Sequence, residues 1–370
     1  MINDVSKIRF KEDDLSKYKD LLEKINNNDL TQRMELLSNS LKTSHDITPE
    51  ISKIIDKVVS KLEVTDINIE CYIYNSETMN ASCFSLRNDS NIIIVLNSGL
   101  VNAMNMDELA FVIGHEIGHY LLGHLNYVKT ESDENHITDM KINRLLQSQE
   151  ISADRVGLIC SGSIESSLRA IIKTVSGLDD KFITRNLHTY LHQLHLLDFD
   201  HMSELYNYSH PIFPIRAKSL MLFSMSELYY NWIGEIKKAP FNTETLEKKI
   251  VKDLESTTLK KEKDIGDELS EKFKLWFFIK SFNEGGIISE REINFLENCF
   301  GSEMTNKAVI YARNNPMGVN NKYLEFKSNV ECLSSSIINE LLQEMETSIH
   351  NSFNDHKIQK YFLNIKRSLQ

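Results

Sequence analysis

Long apolar runs, a basic surplus and paired cysteines are all missing from this chain, and each absence removes a class of protein. Nowhere among its 370 residues do 18 apolar ones follow one another, so no membrane-spanning helix is predicted. The opening stretch from Met1 to Asp14 has no apolar core, so it does not read as a secretory signal. Lysine and arginine number 42 against 53 aspartates and glutamates, a formal net charge of −11. That balance argues against a general nucleic-acid binder, whose affinity comes from basic groups on phosphates, and against docking on an anionic membrane surface. The five cysteines (Cys71, Cys83, Cys160, Cys299 and Cys332) are scattered, odd in number and form no C-x-x-C pair. Buried thiols in a reducing compartment fit them better than a disulfide scaffold or a thiolate metal site, and the cytoplasm is the expected location. The composition, 41% hydrophobic and 26% charged, is that of a globular protein with room for two or three domains.

What the chain does contain is a strong local signal between Asn105 and Asn126. His115, Glu116 and His119 form an H-E-x-x-H motif inside an apolar, helix-like run. Residues four apart share one helix face, so the two imidazoles can reach a single zinc ion. Glu116, beside the first of them, is placed to take a proton from a water on that ion rather than to bind it. Asn105 is a good helix N-cap, and Glu108 three residues on completes a capping-box pattern. Leu109, Val112, Ile113, Ile117 and Leu121 supply the apolar stripe.

A metal site needs a third ligand. Around the motif, the leading residues 1–62 are predicted to be helical: Leu15, Tyr18, Leu21, Leu22 and Ile25 have helical spacing before a break at Asn26–Asn28. A second helix covers Asp29 to Leu41, and Thr48-Pro49 opens a third. This segment reads as a structural cap, with a plug over the cleft as the other option. From Val64 the pattern turns to strands: Ile67 to Ile73, then Asn80 to Ser85 and Asn91 to Asn97 as a hairpin joined through Arg87 to Ser90. Past a polar stretch, Lys129 to Glu134, a helix from about Asp139 carries Glu150 and Asp154. Glu150 lies about 30 residues beyond His119, far enough for a second helix to lie beside the first. On spacing alone Glu150 is equally a ligand or a member of a solvated salt bridge. His188, His192 and His195, with His201 beyond, form a row that reads as unliganded rather than as a second metal site. Ser209-His210-Pro211 then leads through Arg216 into a helix reaching Leu222; a loop histidine fixed by proline is a candidate electrophile.

Taken together, these stretches resemble the zinc metallopeptidases typified by HtpX and the CAAX prenyl endopeptidase, which are gluzincins, over about Val64 to Tyr230. The resemblance rests on N-A-S-C-F at Asn80–Phe84, N-S-G-L at Asn97–Leu100, and D-E-L-A-F-V-I-G-H-E-I-G-H. It continues in E-I-S-A-D at Glu150–Asp154 and S-H-P with its later arginine at Ser209–Arg216. It implies an α+β, mostly helical fold with a small sheet plus zinc-binding helices in a peptidase domain over 63–235; periodicity and composition set off an N-terminal helical segment over 1–62 and a C-terminal all-helical domain over 236–370. The resemblance implies one Zn2+ per chain on His115, His119 and Glu150, Glu116 as general base and acid, and His210 as stabiliser of the oxyanion. Asp154 would orient a ligand histidine and Arg216 hold the His210 loop by pairing with an acid. Asn80, Ala81, Ser82, Cys83 and Phe84 would form the edge strand on which an extended peptide pairs. His124 also fits the pattern, without being a ligand. The metzincin pattern fails, because Leu122 and Leu125 stand where its glycine and histidine belong.

HtpX-type members carry transmembrane helices around this core, and here none is predicted, so the chain resembles a soluble branch. Its expected activity is zinc-dependent endoproteolysis of extended or unfolded segments. The alternative is a zinc-bearing, chaperone-like scaffold with a latent site. In the C-terminal third, Phe273, Trp276, Phe277, Ile279 and Phe282 form an aromatic stripe, and Lys272 to Cys299 weakly resembles TerB-like helical domains. Asn283-Glu284 replace the aspartate usual at that turn, so the region reads as a packing or protein-interaction module.

Overall fold

The computed structural model describes residues 4–24, 30–64, 66–85, 91–129, 136–184, 188–197, 210–256, 259–283, 286–331, 333, 335–352 and 356–369. Asn26–Asn28, Arg87–Ser90, most of the polar stretch before Glu134, His201, Ser209, Glu284, Gly285 and Cys332 lie outside the described residues. The chain divides into two compact units, Met1–Glu134 with Asp139–Thr257, and Asn135–Thr138 with Thr258–Gln370.

The first unit is α+β and mostly helical, as expected. Its leading part is less helical than its spacing predicts. Leu15–Leu21 form a 3-10 helix capped by Asp14, and Leu22–Lys24 (β1) is a strand. A lone helix of that length is marginal without a surface to bury. The chain instead pairs Leu22–Lys24 antiparallel with Tyr127–Lys129, which captures its backbone groups. Leu30–Asn39 (α1), Leu41–Lys42 (β2) and Pro49–Leu62 (α2) follow. Proline opens α2, and Ile54, Val58 and Leu62, four apart, are its buried stripe.

Asn68–Tyr74 (β3), Ala81–Ser85 (β4) and Asn91–Asn97 (β5) join β2 in a four-stranded sheet, order β2-β3-β5-β4. The hairpin forms, with Cys83 opposite Ile94; β5 also pairs in parallel with β3, which puts β4 at the edge. Side chains alternate across a strand. Ile92, Ile94 and Leu96 therefore join the main core, while Ile93 packs with Tyr72, Leu36 of α1 and Phe84 on the other face.

After Ser98–Ala103 (α3), the motif helix runs Met106–Leu121 (α4), then come Tyr127–Lys129 (β6), His136–Ser161 (α5) and Ile164–Ser176 (α6). His188–His192 (α7) is short; Phe213–Ser224 (α8), Glu227–Trp232 (α9) and Thr243–Ser256 (α10) complete the unit. Helix α4 is buried all round from Glu108 to Gly118 rather than along one stripe, because the sheet, α2, α5 and α6 enclose it. Two glycines let α4 and α5 meet. A Cβ on Gly114 would lie 2.5 Å from Cys160 Cβ, and one on Gly157 would lie 2.7 Å from the Phe111 carbonyl oxygen.

The second unit is Leu259–Asn283 (α11), Glu290–Phe300 (α12), Ser302–Asn314 (α13), Val319–Val330 (α14), Ser335–Ser352 (α15) and His356–Leu369 (α16). Its core is the expected aromatic stripe, Phe273, Trp276, Phe277, Ile279 and Phe282, all buried with Phe278 and Tyr323. Ser289 caps α12 and Glu292 closes the capping box. No described helix is long and apolar enough to cross a membrane.

Candidate metal centre and cleft

The helix carrying the motif is fixed at its start. Asn105 Oδ1 accepts from the backbone N–H of Asp107 and Glu108, and Glu108 Oε2 accepts from the Asn105 N–H at 2.9 Å. Glu108 is fully buried, and Lys173 Nζ of α6 donates to it at 2.6 Å and to the Ala103 carbonyl at 2.8 Å. Arg169 pairs with the other Glu108 oxygen at 3.3 Å. The cap thus doubles as the joint between α4 and α6.

One turn apart on α4, the Nε2 atoms of His115 and His119 face each other at 3.1 Å. Glu150 of α5 closes the third side, with Oε1 3.3 Å from His119 Nε2 and Oε2 3.5 Å from His115 Nε2. Two-nitrogen, one-carboxylate sets suit a first-row divalent ion. With bonds of about 2.0–2.1 Å, the edge of a tetrahedron around zinc is about 3.3–3.4 Å, and the three separations bracket that value. Among the described residues this is the one group of three potential ligands whose donor atoms converge. Charge agrees with geometry. Glu116, Glu150 and Asp154 are buried carboxylates and Arg216 is the cation among them, so with neutral imidazoles the site lacks two positive charges. A divalent cation supplies them.

Each candidate ligand is held from behind, as metal-binding histidines usually are. Asp154 Oδ1 lies 3.0 Å from His115 Nδ1. Arg216 grips Asp154 with both Nε and Nη2, at 2.9 and 2.7 Å, and reaches Glu150 at 3.3 Å through Nη1. Its acidic partners are therefore two metal-site carboxylates, which ties α8 to α5. Burial pushes both carboxyl groups up, but Arg216 and the neighbouring imidazoles outweigh it and hold Glu150 well below, and Asp154 below, the ordinary carboxylate range. Burial opposes a proton on His119, yet the Glu150 carboxylate outweighs it and raises the histidine's pKa. His210 Nδ1 is 3.1 Å from Glu150 Oε1, and that bond is the main cause of its raised pKa. Its side chain is 64% exposed, at the rim of the site.

The site opens on a cleft of about 400 Å³, lined on one side by Met79 to Cys83 and floored by His115, Glu116, His119 and Glu150. Leu100, Phe111, Val112 and Ile171 give it an apolar lining, which His210, Phe213 and Arg216 complete. Among the described residues, none from 1–62 lines the cleft. Of the expected edge strand, Asn80, Ala81, Ser82 and Cys83 line the cleft. Phe84 does not, because the alternation of β4 turns it to the opposite face, beside Tyr72 and Ile93. The Cys83 thiol donates to the Glu116 carbonyl at 3.1 Å, which pins β4 to the motif helix. Burial and nearby Glu116 push that thiol's pKa well up. His192 and His195 stack edge to face, ring centres 5.5 Å apart, and join no cluster of potential ligands among the described residues. Two groups that motif reading left without a role do reach the site: His124, 2.9 Å from His119, and Asp13 behind it. Nothing near Asp13 in the sequence marks it, because its partner lies 111 residues away.

Residues 46–133 match the family model described as Peptidase family M48. That span takes in α2, β3 to β5 and α4 with His115, Glu116 and His119, and ends before Glu150, Asp154, His210 and Arg216. No curated protein matches the chain.

Proposed function

We propose, from the match of residues 46–133 to the model of peptidase family M48, that this chain is a zinc-dependent endopeptidase acting on extended or unfolded protein segments. The observation that carries the reading is the convergence of His115, His119 and Glu150 in one cleft beside β4, the outermost strand of the sheet among the described residues. His115, His119 and Glu150 hold the metal in this reading. When bound, zinc supplies Lewis acidity to the scissile carbonyl and lowers the pKa of the attacking water towards ~7.

The remaining steps belong to the protein. β4 presents its free backbone edge to a peptide in extended form, and main-chain pairing fixes the scissile bond without selecting much sequence. Glu116, on the cleft floor, accepts the proton of the attacking water and returns it to the leaving amine. His210 swings from its Glu150 partner by a side-chain rotation and donates to the carbonyl oxygen as negative charge grows there. One such donor typically contributes a few kcal/mol to the transition state. Asp154 and Arg216 keep the ligands aimed, and the apolar lining of Leu100, Phe111 and Val112 receives a hydrophobic substrate side chain.

Full-length protein and Glu116→Gln, compared for bound zinc by elemental analysis and for casein or peptide-library cleavage, test this. We expect equal metal content and hydrolysis reduced by roughly 10²–10⁴-fold in the variant. Cleavage equal to wild type overturns the assignment of Glu116. Zinc binding with no cleavage by the wild type on any substrate moves the chain to a scaffold that binds extended segments.

A further inference from the structure

His124 sits on the 3-10 turn just past α4, with its side chain buried. One ring nitrogen, Nδ1, lies 2.9 Å from Nδ1 of His119, and the other, Nε2, lies 2.9 Å from Asp13 Oδ2. Asp13 is 1% exposed, and it comes from the leading segment. That segment is fastened to both helices that supply the metal site. Arg9 Nη2 donates to the Leu122 carbonyl at the end of α4 at 2.7 Å. The Phe10 N–H donates to Ser152 Oγ of α5 at 3.0 Å, and Arg155 Nη1 donates to the Ile8 carbonyl at 3.2 Å.

We propose that Asp13 is a positioning residue for the metal site, acting through His124 to keep the ring proton of His119 on Nδ1 and so leave His119 Nε2 free for the metal. The direction of each hydrogen bond follows from what the groups can donate. An ionised carboxylate only accepts, so His124 Nε2 carries the hydrogen. A neutral ring then has its lone pair on Nδ1, and the one donor facing it is His119 Nδ1–H. His119 Nε2 is left bare, towards His115 and Glu150. Reversing the relay would put a proton on Nε2, where the metal belongs. Both ligand histidines therefore have a carboxylate behind them: His115 has Asp154 directly, and His119 has Asp13 through a second imidazole.

The alternative is that Asp13 merely packs the leading segment. Arg9 Nε lies 4.0 Å from its Oδ2, but the other oxygen, Oδ1, is buried with no hydrogen-bond partner among the described residues, and burying a carboxylate so incompletely bonded is a poor way to pack. Ile8 and Phe10, both buried, already do the packing.

This inference rests on reading His115, His119 and Glu150 as metal ligands, and the experiment separates the two. Full-length wild type and Asp13→Asn, which keeps the volume but removes the obligatory acceptor, are stripped of metal. Each is titrated with zinc against a competing chelator, and the thermal midpoint of each metal-free form is recorded. We expect zinc affinity to fall by roughly 10–100-fold with little change in the midpoint. Equal affinity in a folded variant overturns the relay, whereas a wild type that binds no zinc overturns the metal site itself. A variant that fails to fold leaves the decision to the wild type. Ring-¹⁵N spectra of the zinc-loaded protein should place hydrogens on His119 Nδ1 and His124 Nε2, and a hydrogen on His124 Nδ1 overturns the proposal.

Discussion

Arg216 is the cation that joins the charges of the site, since one guanidinium serves two buried carboxylates on α5. Removing it leaves Glu150 and Asp154 facing each other without their cation, and breaking a buried pair costs about 3–5 kcal/mol. Arg216→Ala should therefore lower the urea midpoint by a corresponding amount, and metal-free protein should suffer more than zinc-loaded protein, where the ion replaces part of the lost charge. Arg216→Lys keeps the charge but not the two-pronged grip on Asp154, and should fall between. At this scale the sequence is informative where chemistry repeats at a fixed local spacing. His115, Glu116 and His119 announce themselves because a helix puts i and i+4 together. Glu150 has no such spacing to vouch for it, and on spacing alone it is equally a ligand or a salt-bridge partner. Which residues of Asn80–Phe84 send side chains into the cleft is not legible either: a motif names consecutive residues, but a strand sends them to opposite faces.

Helices α4, α5 and α6 form the rigid frame of the site, and two joints hold it. One is the Gly114–Gly157 crossing. Gly114→Ala would drive a methyl group into Cys160, and overpacking of this kind costs typically 1–3 kcal/mol, measurable by chemical denaturation. Zinc affinity should fall with it, because displacing α5 moves Glu150. The other joint is Lys173 on Glu108. Lys173→Met should cost about 3 kcal/mol, the low end for a broken buried pair, since Arg169 still answers Glu108. Helix starts such as Thr48-Pro49 and Asn105 with Glu108 are legible because caps are local. The leading segment is not, since whether Leu22–Lys24 is helix or strand depends on Tyr127–Lys129, about a hundred residues on. The parallel pairing of β3 with β5 is hidden for the same reason: registers between distant strands leave no periodic trace.

Over the whole molecule, stability in acid should depend on Glu70 of β3. Arg33, Lys42 and the Tyr72 hydroxyl surround its carboxylate. Burial alone would raise its pKa, but these partners outweigh it and bring it down to about 2. A carboxyl group lowered on folding stabilises the fold at pH values above its unfolded pKa, near 4.5, and that contribution disappears as pH falls through about 2. Urea midpoints measured at pH 6, 4 and 3 should decline more steeply in wild type than in Glu70→Gln. The second unit has its own aromatic core, so a fragment spanning residues 258–370 should be helical and melt cooperatively by circular dichroism. The first unit gathers its site from Asp13, the α4 motif, Glu150 and Arg216, a stretch of some two hundred residues folded onto one ion-sized space. A ribosome making this chain thus releases the histidine motif of α4 long before the guanidinium that aims Glu150 and Asp154: if the proposed reading holds, the growing protein has no assembled site until Arg216 has emerged.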